Sequence, residues 1–204
     1  MAEQRVILWD VMDTLVRDPF FTHMASFFGF SFEELLRRKH PTAWVKFELG
    51  QIDEEQLFAT FFADGTPIDG PEFKLHVRNA YCWVEGVEPL LRELKAAAVP
   101  MHALSNYPPW YRLIDERLQL SRYVELSFFS CDTGVRKPAL EAYLGAAAKL
   151  GRSPADCVFV DDRKRNCDAA RAVGMPALEF SGDVTALRAS LRELGLLRDD
   201  RLPD

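Results

Sequence analysis

A short apolar run near the start of the chain predicts a strand that is covered on both faces. Arg5–Trp9 continues without polar interruption from Val6 onward. Such an unbroken run is typical of a parallel sheet, in which helices cover both faces. The run leads directly into Asp10. We therefore expect the first strand to end at an acidic residue.

The segment that follows carries helix start and stop signals instead. Ser31 with Glu34 has the pattern of a capping box, and the helix that it opens should stop before Pro41. Asp53 with Gln56 repeats the pattern for a second helix. No strand is evident in this stretch. We expect a small helical unit of four helices here.

Beyond Gly86 the pattern alternates between helix and strand. Strands are predicted at 99–104, 124–129, 158–160 and 177–180, and helices at 87–94, 140–150, from about 163 to 174 and 184–194. Alternating strands and helices specify a parallel sheet with helices on both faces. The prediction is an α/β protein with a Rossmann-like core domain, residues 1–16 and 86–204, and an inserted helical-bundle cap, residues 17–85.

Composition and charge narrow the function classes. The 204 residues are 48% hydrophobic and 27% charged, with a net charge of −6, as in an ordinary soluble globular protein. An acidic balance argues against binding to nucleic acid or to an anionic membrane surface. No apolar run approaches the roughly 20 residues that span a bilayer, and the start has no signal-peptide pattern. We expect a soluble intracellular protein that is a monomer or a homodimer.

Polar residues follow the predicted strands where parallel strands bring their carboxyl ends together. Asp10 follows the first strand, and Ser105 with Asn106 follows the second. Lys137 follows the third, and Asp161 with Asp162 follows the fourth. Ligands of open α/β sheets bind at this edge. Carboxylates suit Mg²⁺, and lysine and hydroxyl groups suit phosphate, so we expect a site for a hard cation and a phosphorylated small molecule.

The four segments, in this order, resemble the haloacid dehalogenase superfamily of aspartate-nucleophile hydrolases. Asp10-x-x-x-Thr14-Leu15 resembles its first motif, Ser105 the second, Lys137 the third and Asp161-Asp162 the fourth. The position of the helical insert matches the subclass whose cap lies between the first two motifs. The resemblance covers nearly the whole chain and implies a Mg²⁺-dependent phosphomonoester hydrolase.

The resemblance also implies roles for individual residues. Asp10 would attack phosphorus and form an aspartyl-phosphate that water hydrolyses. Ser105, Asn106 and Lys137 would bind the phosphate. The magnesium would be held by Asp10, the backbone carbonyl of Met12 and Asp162. Asp161 and Asn166 would support that corner, and Thr14 would complete the first motif.

One position departs from the family pattern. The phosphatases of the superfamily carry a second aspartate two residues after the nucleophile as general acid and base, but Met12 stands there and Asp13 follows. A thioether cannot donate a proton. Three readings stay open: Asp13 reaches the site through altered local backbone, hydrolysis proceeds slowly with water or another group as the acid, or the protein is a catalytically weak or inactive phosphometabolite-binding protein. A 2-haloacid dehalogenase is a further alternative, although it would leave the Asp161-Asp162 pair without a purpose.

Four further segments resemble the plant plastid flavin mononucleotide hydrolase-like proteins. They are Asp10–Phe20, Lys39–Thr42, Gly50–Glu55 and Asn106–Tyr111. This resemblance implies FMN or a related small phosphometabolite as substrate, and either the cytoplasm or a plastid as compartment, with a transit peptide absent from this chain. Aromatic residues in and near the cap are candidates for stacking on a flavin ring: Phe20, Phe21, Trp44, Phe47, Tyr81, Trp83, Tyr107 and Trp110.

Overall fold

A five-stranded parallel sheet forms the centre of the protein. The computed structural model describes residues 5–197. The strand order is β3-β2-β1-β4-β5, so β1 lies between β2 and β4. The strands are β1 (Val6–Trp9), β2 (Met101–Ser105), β3 (Glu125–Phe129), β4 (Cys157–Asp161) and β5 (Ala177–Glu179). The predicted α/β class and parallel sheet are confirmed.

Five α-helices lie between β1 and Gly86 in the described chain, one more than expected. They are α1 (Ala25–Phe27), α2 (Phe32–Arg38), α3 (Ala43–Glu48), α4 (Glu54–Thr60) and α5 (Gly70–Ala80). A π-helical turn, Phe20–Met24, leads directly into α1. With three residues, α1 is too short to produce a periodic hydrophobic pattern. The limits of the cap, 17–85, stay a prediction.

The remaining helices pack around the sheet. They are α6 (Val87–Ala96), α7 (Tyr111–Leu118), α8 (Ser130–Thr133), α9 (Leu140–Lys149), α10 (Lys164–Ala172) and α11 (Val184–Glu193), with 3₁₀ turns at Leu120–Arg122 and Pro154–Asp156. The crossover helix α7 and the single turn α8 had no clear signal in the sequence.

The two predicted helix starts differ in how completely they are capped. At α4 the Gln56 backbone N–H donates to Asp53 Oδ1 at 2.8 Å, and the Asp53 N–H donates to Gln56 Oε1 at 3.0 Å. At α2 the Glu34 N–H donates to Ser31 Oγ at 3.1 Å. The first arrangement is a complete capping box, whereas Ser31 acts as an ordinary N-cap.

Alternate residues of β1 face two separate hydrophobic cores. Ile7 and Trp9 belong to the core that also contains the cap residues, and Leu8 belongs to the core beneath α9 and α10. All four residues of β1 are buried. This explains the unbroken apolar run, because a strand that alternates between two cores needs apolar residues on both faces.

Trp110, the N-cap residue of α7, joins the cap to the sheet. Its ring centroid lies 5.6 Å from that of Phe47 and 5.9 Å from that of Phe73, both in cap helices. Its Nε1–H donates to Glu54 Oε1 at 2.6 Å. The cap interior is therefore continuous with the core on one face of the sheet.

Candidate functional site

The strand order brings the predicted acidic residues to one edge of the sheet. Asp10 follows β1, and its backbone N–H donates to the carbonyl of Val160 at 2.8 Å. Ser105 ends β2 and Asp161 ends β4. Because β1 is flanked by β2 and β4, these side chains converge at the carboxyl edge.

Two donors hold one oxygen of Asp10. Ser105 Oγ donates to Asp10 Oδ1 at 2.9 Å, and Lys137 Nζ donates to the same atom at 2.7 Å. Burial raises the pKa of Asp10, and the Lys137 ammonium opposes that rise. The aspartate is thus a buried carboxylate whose charge depends on a neighbouring cation.

Lys137 lies between two carboxylates. Its Nζ is 2.7 Å from Asp10 Oδ1 and 2.7 Å from Asp161 Oδ2, and the residue is 3% exposed. Burial alone would lower the pKa of Lys137, but the attraction of the two carboxylates raises it. The lysine is therefore a fully buried cation and not a surface residue.

Both oxygens of Asp161 are occupied by protein donors. Oδ1 accepts from the Arg163 backbone N–H at 2.7 Å and from Asn166 Nδ2 at 3.0 Å. Oδ2 accepts from Lys137 and, at 2.9 Å, from Asn166 Nδ2. Asp161 thus fixes Lys137 and the start of α10.

Asp162 is held by its backbone and leaves a carboxylate oxygen without a partner. Its N–H donates to Thr14 Oγ1 at 3.1 Å, so Thr14 of the first motif positions Asp162 of the fourth. Asp162 Oδ1 is buried and has no hydrogen-bond partner. Burial, together with the charges of Asp10 and Asp161, raises the pKa of Asp162 to about 7.

This corner fits a hard cation. Single carboxylate oxygens of Asp10, Asp161 and Asp162 lie within 4.8 Å of one another. The Oδ1 atoms of Asp162 and Asn166 are buried without partners, and an unpartnered buried oxygen is costly unless a ligand or water meets it. Since Asp161 is already saturated, Asp162 is the better candidate for direct ligation.

Asn106 and Met12 are both placed beside these residues. Asn106 Nδ2 donates to the Lys137 carbonyl at 2.8 Å, and Asn106 Oδ1 accepts the Lys137 N–H at 2.8 Å. Its amide therefore holds the backbone of Lys137. Met12 is 7% exposed and lines the same cavity as Asp10.

Asp13 is not brought to this cavity. It adopts a left-handed backbone conformation with φ of 55°, a region in which Asp is tolerated better than most residues. Its Oδ1 accepts the backbone N–H of Asp18 at 3.1 Å. The side chain that the sequence offered as a replacement acid thus holds the loop, and its catalytic role stays a prediction.

A cavity of about 330 Å³ opens between the sheet edge and the cap. On the sheet side it is lined by Asp10, Met12, Asn106, Tyr107, Arg136, Lys137, Arg163 and Asn166. On the cap side it is lined by Asp18, Phe20, Phe21, Lys39, Trp44 and Glu48. The lining thus combines a floor that carries one carboxylate, Asp10, and three cationic side chains with a wall that contains aromatic rings.

Only some of the predicted stacking residues line the cavity. Phe20, Phe21, Trp44 and Tyr107 line it. Phe47, Tyr81 and Trp110 are instead almost completely buried. Trp83 packs against Tyr123 at a centroid distance of 6.1 Å. The other half of the predicted stacking residues therefore packs against protein side chains and does not line the cavity.

Asp18 and Glu48 line the cavity, and the sequence did not mark them as candidates. Glu48 lies in α3, where it pairs with Arg136 at 2.7 Å and accepts Trp44 Nε1–H at 2.7 Å. Burial raises the pKa of Glu48, and Arg136 opposes the rise. An acidic residue beside Phe47 on an otherwise apolar helix face was the available signal. Asp18 had none beyond its proximity to the first motif.

Comparison with known proteins decides the family. The family model for haloacid dehalogenase-like hydrolases matches residues 4–174. This chain belongs to the haloacid dehalogenase-like hydrolase family. The predicted family and the prediction of a hydrolase are confirmed.

The chain is also similar to two named enzymes, a flavin mononucleotide hydrolase and a sesquiterpene phosphatase. The chain is 43% identical over 191 residues to the chloroplast flavin mononucleotide hydrolase 1 of Arabidopsis thaliana, covering 94% of this chain and 78% of the relative. It is 31% identical over 156 residues to a sesquiterpene phosphatase of Aspergillus oryzae, covering 74% of this chain and 78% of that protein.

Solved structures of the family share the fold. A haloacid dehalogenase family enzyme from Bacteroides thetaiotaomicron in complex with magnesium superimposes with a TM-score of 0.74 at 16% identity, covering 91% of this chain and 98% of that one. A Porphyromonas gingivalis family member gives a TM-score of 0.72 at 17% identity, covering 95% and 98%. Within residues 5–197, none of the helices has the length and apolar character needed to cross a membrane.

Proposed function

We propose that this hydrolase is a Mg²⁺-dependent phosphomonoesterase that acts through an aspartyl-phosphate on Asp10, with FMN as the leading substrate. The observation that carries the proposal is the charge arrangement around Asp10. One oxygen of its carboxylate is held by Ser105 and Lys137, a carboxylate oxygen of Asp162 lies within 4.8 Å of one of Asp10, and Asp162 Oδ1 is buried without a partner. This donor set matches a phosphate beside a hard cation.

The proposed reaction assigns a role to each of these groups. A carboxylate oxygen of Asp10 forms a bond to phosphorus while the bond from phosphorus to the alcohol oxygen breaks. Water then attacks the phosphorus, which releases inorganic phosphate and restores the carboxylate. Lys137 and Ser105 stabilise charge on the phosphate oxygens.

Asp10, the Met12 carbonyl and Asp162 would hold Mg²⁺, with Asp161 and Asn166 behind them. The bound ion supplies positive charge against the phosphate. The unpartnered oxygens of Asp162 and Asn166 support this assignment.

The proposed substrate rests on the aromatic wall and the Arabidopsis relative. Phe20, Phe21 and Trp44 give the cavity flat apolar surfaces above a phosphate-binding floor. A phosphorylated alcohol with a flat ring, such as FMN, fits both features. We also propose that residues 17–85 act as a cap whose closure excludes water.

Phosphate release tests the proposal. We expect release from FMN that requires Mg²⁺, that EDTA stops and that Asp10→Asn abolishes. Asp69→Asn, which keeps an N-cap at the start of α5 and changes no residue that lines the cavity, serves as the control and should retain wild-type release. Release that persists in Asp10→Asn would contradict the proposal.

Met12 favours a second candidate function, because it stands where the family's phosphatases carry their proton donor. A catalytically weak phosphometabolite-binding protein would bind FMN in the presence of Mg²⁺ without releasing phosphate. Binding measured by flavin fluorescence, without turnover of any phosphomonoester, would favour this function over hydrolysis.

A further inference from the structure

Hydrolysis of an alkyl phosphate needs a proton for the departing alkoxide, and Met12 cannot donate one. Met12 and Asp10 both line the cavity, and Met12 stands at the sequence position where the family's phosphatases carry their acid. General acid–base catalysis contributes about 10²- to 10⁴-fold to such reactions. Another carboxyl group in the cavity would supply the proton donor that Met12 does not.

The other carboxyl groups around the cavity are committed elsewhere. Glu48 is paired with Arg136 and accepts from Trp44. Asp161 is saturated by protein donors, and Asp162 belongs to the cation corner. Glu48 and Asp161 therefore already have protein partners, and Asp162 is assigned to the cation.

Asp18 is placed differently. It lines the cavity together with Asp10 and Met12. Its Oδ1 accepts the Phe20 backbone N–H at 2.9 Å, and in the described part of the chain its Oδ2 has no hydrogen bond. One oxygen thus fixes the carboxyl group while the other is available to exchange a proton.

The loop after β1 is built to return Asp18 to the cavity. The left-handed turn at Asp13 lets its N–H donate to the Val16 carbonyl at 2.7 Å. Asp13 Oδ1 then accepts the Asp18 N–H at 3.1 Å. The chain therefore doubles back beside Met12, and Asp13 anchors the backbone that carries Asp18.

The charges that face Asp18 come from several elements. Burial raises the pKa of Asp18 to about 6, Asp13 and Asp10 add to the rise, and Arg163 opposes it. Glu48 and the buried hydroxyls of Tyr81 and Tyr107 lie within electrostatic range. A carboxyl group with a pKa near 6 can both donate and accept a proton near neutral pH.

We propose that Asp18 is the general acid and base of this site and supplies the proton exchange that Met12 cannot. The inference rests on the proposed phosphomonoesterase function. In the first step the Asp18 carboxyl proton passes to the alcohol oxygen as its bond to phosphorus breaks and the Asp10–phosphorus bond forms. In the second step the Asp18 carboxylate takes a proton from the water that attacks phosphorus, and Asp10 leaves as a carboxylate.

Esters whose leaving groups differ in their need for a proton distinguish the two steps in an experiment. Asp18→Asn, wild type and the control Asp69→Asn are compared on FMN, an alkyl phosphate, and on p-nitrophenyl phosphate, whose leaving group needs little protonation. We expect Asp18→Asn to lower FMN turnover about 10²- to 10⁴-fold. With the aryl ester it should still release nitrophenol rapidly in the first turnover, followed by slow turnover, since the second step still lacks its base.

Several results would overturn the assignment. An unchanged FMN rate, or an equal loss of the first turnover with both esters in a variant that folds by circular dichroism, would refute it. The same leaving-group dependence in Asp13→Asn but not in Asp18→Asn would assign the acid to Asp13. If Asp18→Asn does not fold, Asp18→Ser, which also lacks the carboxyl group, takes its place.

Failure of the underlying function gives a different result. Wild-type release that Asp10→Asn abolishes, without a leaving-group effect at position 18, removes only the role of Asp18. No Asp10-dependent release from either ester in the wild type removes both proposals.

Discussion

At the scale of single residues, Lys137 supplies the positive charge that balances the buried carboxylates of the site. It is the buried cation between Asp10 and Asp161, and Asn106 holds its backbone through two hydrogen bonds. Removing one partner of a buried ion pair is typically far more costly than the pair is stabilising. Burial raises the pKa of Asp10, and the Lys137 ammonium opposes that rise and so favours the ionised carboxylate that the proposed nucleophile requires.

Asp18 has the opposite energetic character, because burial and nearby carboxylates outweigh the Phe20 N–H and the Arg163 charge, which favour its ionised form. Its pKa is raised from 3.8 to about 6, so the folded protein binds a proton that the unfolded chain releases between these values. Its contribution to stability is therefore present below about pH 4 and is lost as the pH rises to about 6. Such destabilised groups are common at functional sites.

We therefore expect Asp18→Asn to stabilise the protein at neutral pH. Two pKa units correspond to about 3 kcal/mol, and partial exposure of the side chain reduces this to about 1–2 kcal/mol. Asparagine keeps an acceptor for the Phe20 N–H. Urea unfolding in EDTA should show the gain near pH 7.5 and little of it near pH 4. A gain that is the same at both pH values would show that the charge of Asp18 is not its cause.

At the scale of elements, α3 is fixed to the core by an ion pair and by backbone contacts. Glu48 at its end pairs with Arg136, and Ser130 Oγ donates to the Glu48 carbonyl at 2.5 Å. Gly50 follows with φ of +66°, and a Cβ there would lie 2.5 Å from the Cys131 carbonyl oxygen. The cap and the segment after β3 therefore meet backbone to backbone.

This contact predicts a larger cost for Gly50→Ala than for a matched glycine. Gly29 has φ of +69° and open space around its Cβ position, so Gly29→Ala should cost about 1 kcal/mol for the left-handed backbone alone. Gly50→Ala should cost about 2–4 kcal/mol, because the backbones must also move apart. Urea unfolding of the two variants tests this, and equal losses would show that the close approach is unimportant.

The elements also show where sequence reasoning succeeded. The apolar run of β1 and the reciprocal cap of Asp53 and Gln56 are local signals, and both were predicted correctly. The placement of Asp18 and Glu48 depends on how the loop after β1 and helix α3 fold onto the sheet. Those long-range contacts leave no periodic pattern, so neither residue was recognised as part of the cavity.

At the scale of the whole molecule, the cap and the sheet share one hydrophobic core. The aromatic contacts of Trp110 and the ion pair between Glu48 and Arg136 both cross between them. The cavity is formed where these two layers separate. Its floor comes from the carboxyl edge of the sheet and its wall from the cap. In the proposed function the floor binds the phosphate and the wall contacts the alcohol.

The most direct test of the central claim is to trap the phosphorylated aspartate. Borohydride reduces an acyl phosphate, so quenching the enzyme during turnover of FMN should convert Asp10 to homoserine, which peptide mass spectrometry identifies. We expect this conversion only when Mg²⁺ and a phosphomonoester substrate are both present, and more of it in Asp18→Asn than in the wild type when the substrate is p-nitrophenyl phosphate. Phosphate release without any conversion at position 10, or with conversion at another carboxylate, would contradict the account.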